Sequence, residues 1–310
     1  MGLAYEIDGI GNVYVKLGEG RPITLIAAHM DEVGFLVRHV TNRGFLKVAA
    51  LGGINPSTAI GMEVAVMGEK GDVPGIIGSI PPHLLRGERP IGDHKPTIED
   101  LFIDVGATSK DEACNMGIGP GAPVTFRGEF RDLGSAIMGK AMDDRLGCYA
   151  LLKALEKAAS PARGAVYLVF TVQEEVGTRG ASVVAHRIRP DYGIAVEGTI
   201  ASDVPGVPEE NWVTRLGGGA AIRVMDRTMI SSSYLLAHLK RLARDNSIPF
   251  QLQISPYSGS DAGRFAILGA ATTGIAVPVR YIHSPHSMAL KSDIDAVVRL
   301  LKMAIENPPP

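Results

Sequence analysis

The chain is poor in cysteine and in aromatic residues. Two cysteines among 310 residues, Cys114 and Cys148, are too few for a disulfide framework and lack the spacing of a metal site. Aromatic residues make up 5% of the sequence and include one tryptophan, so aliphatic side chains must fill the core. The scarcity of cysteine predicts a reducing, cytoplasmic compartment.

No apolar run reaches the length that a membrane-spanning helix needs. The first residues, MGLAYEIDGIGN, lack a basic segment followed by an apolar one, so we expect no signal peptide. A formal net charge of −2 offers no basic surface to nucleic acid or to an anionic membrane. We therefore expect no nucleic acid and no membrane as partner.

Several common catalytic and nucleotide-binding motifs are also missing. There is no P-loop, the three glycines at 217–219 lack the spacing of a dinucleotide-binding loop, and neither a G-x-S-x-G serine elbow nor an HExxH zinc motif occurs. Residues 259–261, Gly-Ser-Asp, weakly indicate a loop near a pocket. These absences argue against nucleotide binding, a serine nucleophile and a single-zinc peptidase helix.

The pattern of apolar and polar residues predicts two domains. Residues 1–42 contain strand-like runs, and residues 132–310 alternate helical and strand-like segments, as in an α/β fold. Residues 43–131 instead contain short β-like pieces broken by Gly and Pro. We predict a discontinuous α/β domain, 1–42 and 132–310, with a mixed sheet and helices on both faces, interrupted by a β-barrel-like domain at 43–131.

Individual elements can be placed in both regions. In the inserted domain, β pieces are predicted at Phe45–Ala50, Glu63–Met67, Leu101–Val105 and Pro123–Arg127. The polar, proline-containing residues 87–98 predict an exposed loop, and a strand is predicted within Ile267–Pro278. Ser292 is the expected N-cap of the last helix, with Asp295 in the capping-box position. Helices are predicted at Asp143–Ala159, Ser231–Asp245 and Ser292–Glu306.

Five short motifs of acidic or histidine residues follow apolar runs or open a helix. Open α/β sheets bind ligands at the carboxyl ends of their strands, so residues far apart in sequence can meet at one sheet edge. Two histidines and several carboxylates in one place form the ligand set of a metal site. The motifs are His29-Met30-Asp31, Asp143-Asp144-Arg145, Glu174-Glu175, Glu197 and His283.

The first two motifs also have structural interpretations. His29 could be a hydrogen-bonded histidine at a strand end. If it binds a metal, Asp31 shares its face of the extended chain and could orient the ring. Asp143 and Asp144 could cap the helix that follows and interact with its dipole, although two carboxylates are more than one cap requires.

The other motifs leave similar alternatives open. Glu174 and Glu175 follow the most apolar strand of the chain, where burying two carboxylates is costly without a partner. Adjacent residues in extended backbone point opposite ways, so one could ligate a metal while the other transfers protons. Glu197 and His283 could each be a structural residue at the end of a strand.

Taken in order, the segments AAHMDEVGF, MDDRLG, QEEVGTRGA, VEGTIASDVPG and VRYIHSP resemble the motifs of the M42 family of metallo-aminopeptidases. This is the glutamyl and leucyl aminopeptidase group with tetrahedral assemblies, whose members are often labelled endoglucanase. The resemblance extends from about residue 7 to about residue 305. It implies an α/β peptidase domain interrupted by a small β-domain, in agreement with the pattern above.

The resemblance implies a role for each motif residue. The two histidines would each be the terminal ligand of one of two metal ions, and Asp143 would bridge both ions. Glu197 stands where many members carry Asp. Glu174 would be the general base, and Asp31 would orient His29. The full set of metal ligands would be His29, Asp143, Glu175, Glu197 and His283.

The chemistry of these residues agrees with the resemblance. Two histidines and three carboxylates suit two divalent ions of borderline softness, Zn²⁺ or Co²⁺. Such ions lower the pKa of water toward neutrality, and Glu174 would accept its proton as it attacks the scissile carbonyl. Nearby carboxylates could hold the free α-ammonium group of a substrate. These features imply an aminopeptidase acting on short peptides with a free N-terminus.

The resemblance also implies assembly. Relatives dimerise through the β-domain, and six dimers build a tetrahedral dodecamer that admits small peptides. Members usually carry a helical segment before the strand at Asn12–Leu17, and this sequence begins almost at that strand. We therefore expect a homo-oligomer, between a dimer and a dodecamer.

Two alternatives are weighed against an aminopeptidase. A glycoside hydrolase (endoglucanase) would use two carboxylates, which leaves both histidines without a role, and the chain has few aromatic residues for stacking on sugars. A non-catalytic assembly protein would carry a broken motif, and none of the five is broken. The sequence favours the aminopeptidase, and inhibition by a chelator discriminates among the three.

Overall fold

A computed structural model of the chain describes residues 2–81, 84 and 95–310, which form two compact units. Of the exposed loop predicted at 87–98, residues 87–94 lie outside the described residues. The α/β unit comprises Met1–Asp31, Arg131–Ile282 and Ser287–Pro310. The barrel unit comprises Glu32–Phe130 and His283–His286.

Strands dominate the barrel unit, whereas strands and helices alternate through most of the α/β unit. The strands are β1 (Glu6–Ile7), β2 (Val13–Gly18), β3 (Ile23–His29), β4 (Gly34–Val40), β5 (Leu46–Leu51), β6 (Glu63–Gly68), β7 (Gly71–Gly78), β8 (Phe102–Asp104), β9 (Pro123–Phe126), β10 (Arg131–Asp132), β11 (Ala136–Gly139), β12 (Ala165–Thr171), β13 (Tyr192–Ile200), β14 (Ala220–Asp226), β15 (Phe250–Ser255), β16 (Ala271–Val279) and β17 (Ser287–Leu290). The α-helices are α1 (Pro56–Ala59), α2 (Lys110–Asn115), α3 (Met142–Lys157), α4 (Arg179–Ile188), α5 (Ser233–Asp245), α6 (Ala262–Ile267) and α7 (Lys291–Glu306). Short 3-10 helices cover Ile98–Asp100 and Glu209–Asn211.

An eight-stranded mixed sheet forms the centre of the α/β unit, in the order β1-β2-β12-β3-β13-β16-β14-β15. Its four middle strands, β12, β3, β13 and β16, are parallel. Their nearly unbroken apolar sequences are buried, as is typical of parallel strands covered on both faces. The register pairs Thr171 with His29 and Val196 with Ala28, so the carboxyl ends of β12 and β3 lie side by side and β13 continues past the end of β3.

Helices cover both faces of this sheet. Ile26 and Ala28 of β3 belong to an apolar core that also contains residues of α3, α5 and α7. Leu25 and Ala27 alternate with them and belong to a second core, which contains residues of α4 and Phe265 of α6. The alternation follows from the two-residue period of a strand. The predicted α/β fold, with a mixed sheet, helices on both faces and a β-barrel, is confirmed.

The barrel unit is built around a closed barrel of six strands in the order β4-β5-β8-β7-β6-β9. Phe35 and Phe126 lie in its buried core, where their rings meet edge to face with centroids 5.8 Å apart. From sequence we predict Gly34–Val40 as part of the α/β domain and no strand at Gly71–Gly78. In the structure both segments are barrel strands. The first is an ordinary apolar run that only its partners assign to the barrel, and the second contains Pro74 and three glycines, which weaken a strand pattern.

The predicted cap of the last helix is wrong. Helix α7 begins before Ser292, and its N-cap is Leu290, which makes no capping hydrogen bond through its side chain, so Asp295 has no place in a capping box. Asp293 in the first turn instead accepts hydrogen bonds from two backbone N–H groups of the Gly217–Gly219 turn, at 2.8 and 2.9 Å. The carboxylate therefore fixes a distant turn to the start of this helix.

The other predicted helices agree with the structure to within a few residues. Helix α5 has Ser232 as its N-cap, which accepts a hydrogen bond from the N–H of Leu235. The strand expected within Ile267–Pro278 begins only at Ala271, because Ile267 ends α6. A short apolar segment such as FAIL fits a helix as well as a strand. In the described part of the chain, no helix is both long and apolar enough to cross a membrane.

Candidate metal centre

A buried histidine stands at the carboxyl end of β3. The side chain of His29 is 1% exposed, and its Nε2 lies 3.3 Å from Oδ1 of Asp143 and 3.8 Å from Oε2 of Glu197. One ligand atom from each of these three residues lies within 4.8 Å of the other two. The structure thus brings together three of the five predicted ligands inside the α/β unit.

The ring of His29 is oriented by the backbone two residues further on. Its Nδ1 lies 3.1 Å from the carbonyl oxygen of Asp31, which can only accept, so Nδ1 donates and Nε2 is the ring nitrogen that faces Asp143 and Glu197. The carboxylate of Asp31 lies further away, at 3.6 Å, and accepts hydrogen bonds from the N–H groups of Glu174 (3.0 Å) and Glu175 (3.1 Å). Asp31 therefore links the His29 strand end to the acidic pair after β12.

The pKa of Asp31 is lowered although the side chain is partly buried. Burial alone raises the pKa, but the imidazole of His29 and the two N–H donors from Glu174 and Glu175 more than offset it. The pKa of His29 is raised well above 6.5, because Asp143 and Asp31 outweigh the effect of burial. The acidic neighbours therefore favour a positively charged group or ion at this sheet edge.

The two adjacent aspartates at the start of α3 have different environments. Asp144 is fully buried, and its carboxylate accepts hydrogen bonds from the N–H of His29 (3.1 Å) and of Gly147 (2.9 Å). It caps the helical turn that follows it within α3. Asp143, which is joined to Asp144 by a cis peptide bond, faces His29. A Cβ at Gly147 would stand 2.1 Å from Oδ1 of Asp144, so the capped turn requires glycine.

The acidic pair after β12 lies in a tight turn. Gln173 has a positive φ of 57°, and the carbonyl of Glu174 accepts hydrogen bonds from the N–H groups of Gly177 (2.9 Å) and Thr178 (2.8 Å). Burial, together with the charges of Asp261 and other nearby carboxylates, raises the pKa of Glu174 to about 8, even though His29 opposes the shift. A carboxyl group with this pKa can exchange protons near neutral pH.

Glu197 lies within a strand. Strand β13 continues to Ile200, so the carboxylate projects from buried backbone and is 5% exposed. Burial and the charge of Glu174 raise its pKa well above the ordinary value, although His29 and Arg223 oppose this. Buried carboxylates are costly without a cation, and histidine nitrogen with carboxylate oxygens is the donor set that Zn²⁺ and Co²⁺ take. The residues present therefore fit a divalent metal ion.

His283 belongs to the short segment His283–His286 of the barrel unit. Its φ is 61°, a backbone conformation that side chains rarely adopt. Nδ1 donates a hydrogen bond to the carbonyl of Gly53 at 2.8 Å, which leaves the lone pair on Nε2. This is the form in which a histidine ligates a metal. Its role as a ligand stays a prediction.

One buried carboxylate near this edge has no role in the sequence analysis. Asp261, before α6, is 1% exposed, and Oδ2 accepts a hydrogen bond from the hydroxyl of Thr171 at 2.5 Å. Burial raises its pKa to about 6, although Thr171 and His29 oppose this. The Gly-Ser-Asp sequence at 259–261 was a signal for a loop near a pocket, but it could not indicate which strand end the carboxylate meets.

An α/β sheet with a buried histidine and carboxylates at the carboxyl edge of its parallel strands defines a candidate metal-dependent hydrolase. The model of the M42 glutamyl aminopeptidase family matches residues 11–300, and the chain belongs to this family. The resemblance stated from the motifs is thereby confirmed. Family membership makes the chain a peptide hydrolase of the aminopeptidase type and does not favour the glycosidase alternative.

Relatives of known sequence and structure also carry the names of aminopeptidases or peptidases. A putative aminopeptidase of Acetivibrio thermocellus is 38% identical over 305 residues, which cover 97% of this chain and 87% of the relative. The aminopeptidase APDkam598 of Desulfurococcus kamchatkensis has a TM-score of 0.91 at 39% identity, with 98% of this chain and 85% of that one covered. The Pyrococcus horikoshii TET1 peptidase, which can assemble into a tetrahedron or a large octahedral shell, has a TM-score of 0.86 at 33% identity, with 98% and 90% covered.

Proposed function

We propose that the chain is a di-metal aminopeptidase that removes N-terminal residues from short peptides. The observation that supports this best is the cluster of buried His29 and Glu197 with the partly buried Asp143, whose ligand atoms lie within 4.8 Å of one another. These three residues would hold one divalent ion, Zn²⁺ or Co²⁺. Glu175 and His283 are proposed as further ligands of a second ion, with Asp143 bridging, on the match to the family motifs alone.

Glu174 is proposed as the general base. When bound, the ions would polarise the scissile carbonyl and lower the pKa of water. Glu174 would accept a proton from the water as its oxygen bonds to the carbonyl carbon, and would deliver that proton to the leaving amine as the C–N bond breaks. The burial of Glu174, which raises its pKa, supports this role, because a more basic carboxylate accepts a proton more readily.

Asp31 is proposed as the residue that fixes the positions of His29 and Glu174 relative to each other. Its carbonyl oxygen accepts a hydrogen bond from Nδ1 of His29, and its carboxylate holds the N–H groups of Glu174 and Glu175. One residue thus orients a metal ligand and fixes the backbone of the base. The expected orientation of the ring comes from the backbone of Asp31 more than from its carboxylate.

Specificity for a free N-terminus is proposed from the acidic character of the site. Carboxylates near the ions would hold the α-ammonium group of a substrate, and an acetylated N-terminus has no charge to offer. The test is the rate of release of the first residue from matched peptides, one free and one N-acetylated, after loading with Zn²⁺ or Co²⁺. We expect turnover of the free peptide only. Equal turnover of both would indicate an endopeptidase or a deacylase.

Assembly into a homo-oligomer, from a dimer to a dodecamer, is also proposed. The support is the likeness to a peptidase that can assemble into closed shells. A closed shell would restrict substrates to peptides short enough to enter it.

A further inference from the structure

The segment 259–264, Gly-Ser-Asp-Ala-Gly-Arg, packs tightly against the loop after β14. A Cβ at Gly259 or Gly263 would come within 2.9 or 2.6 Å of the side chain of Thr228, so both positions need glycine. The hydroxyl of Ser260 donates a hydrogen bond to Oδ2 of Asp226 at 2.7 Å, and Asp226 also forms an ion pair with the buried Arg223. The segment is thereby fixed to a rigid part of the sheet.

The segment 259–264 contacts the start of the loop that carries Glu174 and Glu175. The loop, residues 172–178, begins directly after Thr171 at the end of β12. Thr171 donates its hydroxyl hydrogen to Oδ2 of Asp261 at 2.5 Å, and both residues are buried. A hydrogen bond between a hydroxyl and a buried carboxylate is among the stronger ones in proteins. Asp261 therefore anchors the strand end from which the loop starts.

The same segment contacts the other end of the loop. Arg264 donates from Nε to the hydroxyl of Thr178 at 2.5 Å and from Nη2 to the carbonyl of Gly177 at 3.0 Å. Gly177 has a φ of 117° and Thr178 a φ of 53°, so the loop leaves the turn through two unusual backbone conformations. The planar guanidinium holds both residues at once, which an ammonium group cannot do in the same geometry.

From these contacts we infer that Asp261 and Arg264 are positioning residues that clamp both ends of the loop 172–178. The middle of the loop is held by Asp31, which accepts from the N–H groups of Glu174 and Glu175. Contacts at both ends and in the middle therefore help to fix the backbone of the two glutamates, and of Asp31, Asp261 and Arg264 only Asp31 belongs to the predicted motifs. This inference rests on the proposed function insofar as Glu174 is the base and Glu175 a metal ligand.

The test uses isosteric variants at each end of the loop. Thr171→Val and Thr178→Val remove one hydroxyl each and keep the β-branched shape, while Thr178→Ser keeps the hydroxyl and serves as the conservative rescue. Arg264→Gln removes the two donors together. Its matched control is Arg299→Gln, because Arg299 likewise donates two hydrogen bonds to a loop, at the carbonyls of Asn246 and Ser247.

Two quantities are measured on the full chain. The first is amide hydrogen exchange of residues 172–180 in metal-free protein, which needs no activity. The second is kcat and KM for a free peptide after loading with Zn²⁺. We expect exchange in the loop to rise about tenfold or more in Thr171→Val, Thr178→Val and Arg264→Gln, with kcat falling far more than KM changes. Thr178→Ser and Arg299→Gln should stay near wild type in both quantities.

The inference is overturned if folded Thr171→Val and Thr178→Val exchange like wild type across the loop. It is also overturned if exchange rises while kcat is unchanged, because the clamp would then not position the base. Should Arg264→Gln not fold, the two valine variants decide the question. Absence of peptidase activity in wild type would refute the proposed function instead, and the exchange data would still decide whether the segment clamps the loop.

Discussion

The adjacent carboxylates of Asp143 and Asp144 have different environments, because the backbone points the two side chains in different directions. Asp144 is buried and accepts two backbone hydrogen bonds, which cap the helical turn that follows it and hold the strand end at His29. Asp143 turns the other way, toward Nε2 of His29. Asp144 supplies the cap, so the second aspartate, Asp143, is available for the ligand role that is proposed for it.

At this residue scale, the proposed base can be tested by removing its charge alone. Glu174→Gln keeps the size of the side chain and cannot accept the proton of the attacking water. We expect kcat to fall by about 10²–10⁴-fold, while the protein folds and binds the same number of metal ions. Steady-state kinetics and metal analysis on the same sample check both parts.

The control for that variant is Glu156→Gln, which changes an exposed glutamate of α3 paired with Lys153. It should keep wild-type kcat. Near-wild-type turnover of Glu174→Gln at neutral pH would mean that another group accepts the proton.

Among the secondary-structure elements, the strands that carry the site could be predicted and several of their neighbours could not. β3 and β12 are long apolar runs that fit a buried parallel strand and little else. β7 contains a proline and glycines, and α6 is too short for its helical period to be distinct. Local pattern therefore gives the strongest elements, whereas partners far along the chain define the others.

The same limit applies to the site. The motifs that follow β3 and β12 could be placed at one sheet edge, because these two parallel strands end together. They cannot indicate that Asp31 uses its carbonyl for His29 and its carboxylate for the next loop. Nor can they reveal the contact of Asp261 with Thr171, because Thr171 lies at a strand end and belongs to no motif. These details depend on side-chain contacts that only the folded chain defines.

The ion pair between Asp226 and Arg223 supports the segment 259–264, and its contribution to stability can be tested by changing Asp226. Burial alone raises the pKa of this carboxyl, but Arg223, Ser260 and Thr228 more than offset it, so the pKa lies below its ordinary value of 3.8. Asp226→Asn would leave the buried Arg223 guanidinium without its counter-charge, and we expect the free energy of unfolding to fall by about 3 kcal/mol or more at pH 7. Chemical denaturation measures it.

The difference in free energy of unfolding between wild type and Asp226→Asn should depend on pH. A folded pKa below the unfolded value contributes stability that is fully present above about pH 4 and is lost as the pH falls through the folded pKa. The gap between wild type and Asp226→Asn should therefore narrow under acid conditions. A gap that is absent at pH 7, or one no larger than that of the exposed control Asp104→Asn, would contradict the role given to this ion pair.

On the scale of the whole molecule, we expect more than one chain per particle. Large apolar side chains are exposed in the α/β unit, among them Ile230, Tyr257 and Ile267, each more than 70% exposed, and association would remove such surface from water. Light scattering of the metal-loaded protein at micromolar concentration should give at least twice the chain mass of 32.8 kDa. A monomer mass under these conditions would refute the proposed assembly.

In the proposed function, the chain hydrolyses peptides through divalent ions held at the sheet edge. The most direct measurement is the rate at which chelator-treated protein, supplied stepwise with Zn²⁺ or Co²⁺, releases the first residue of a free peptide. We predict no turnover without metal and a rate that rises with added ion until two ions are bound per chain. A full rate in excess chelator, on folded protein that retains at most traces of metal, would contradict the account.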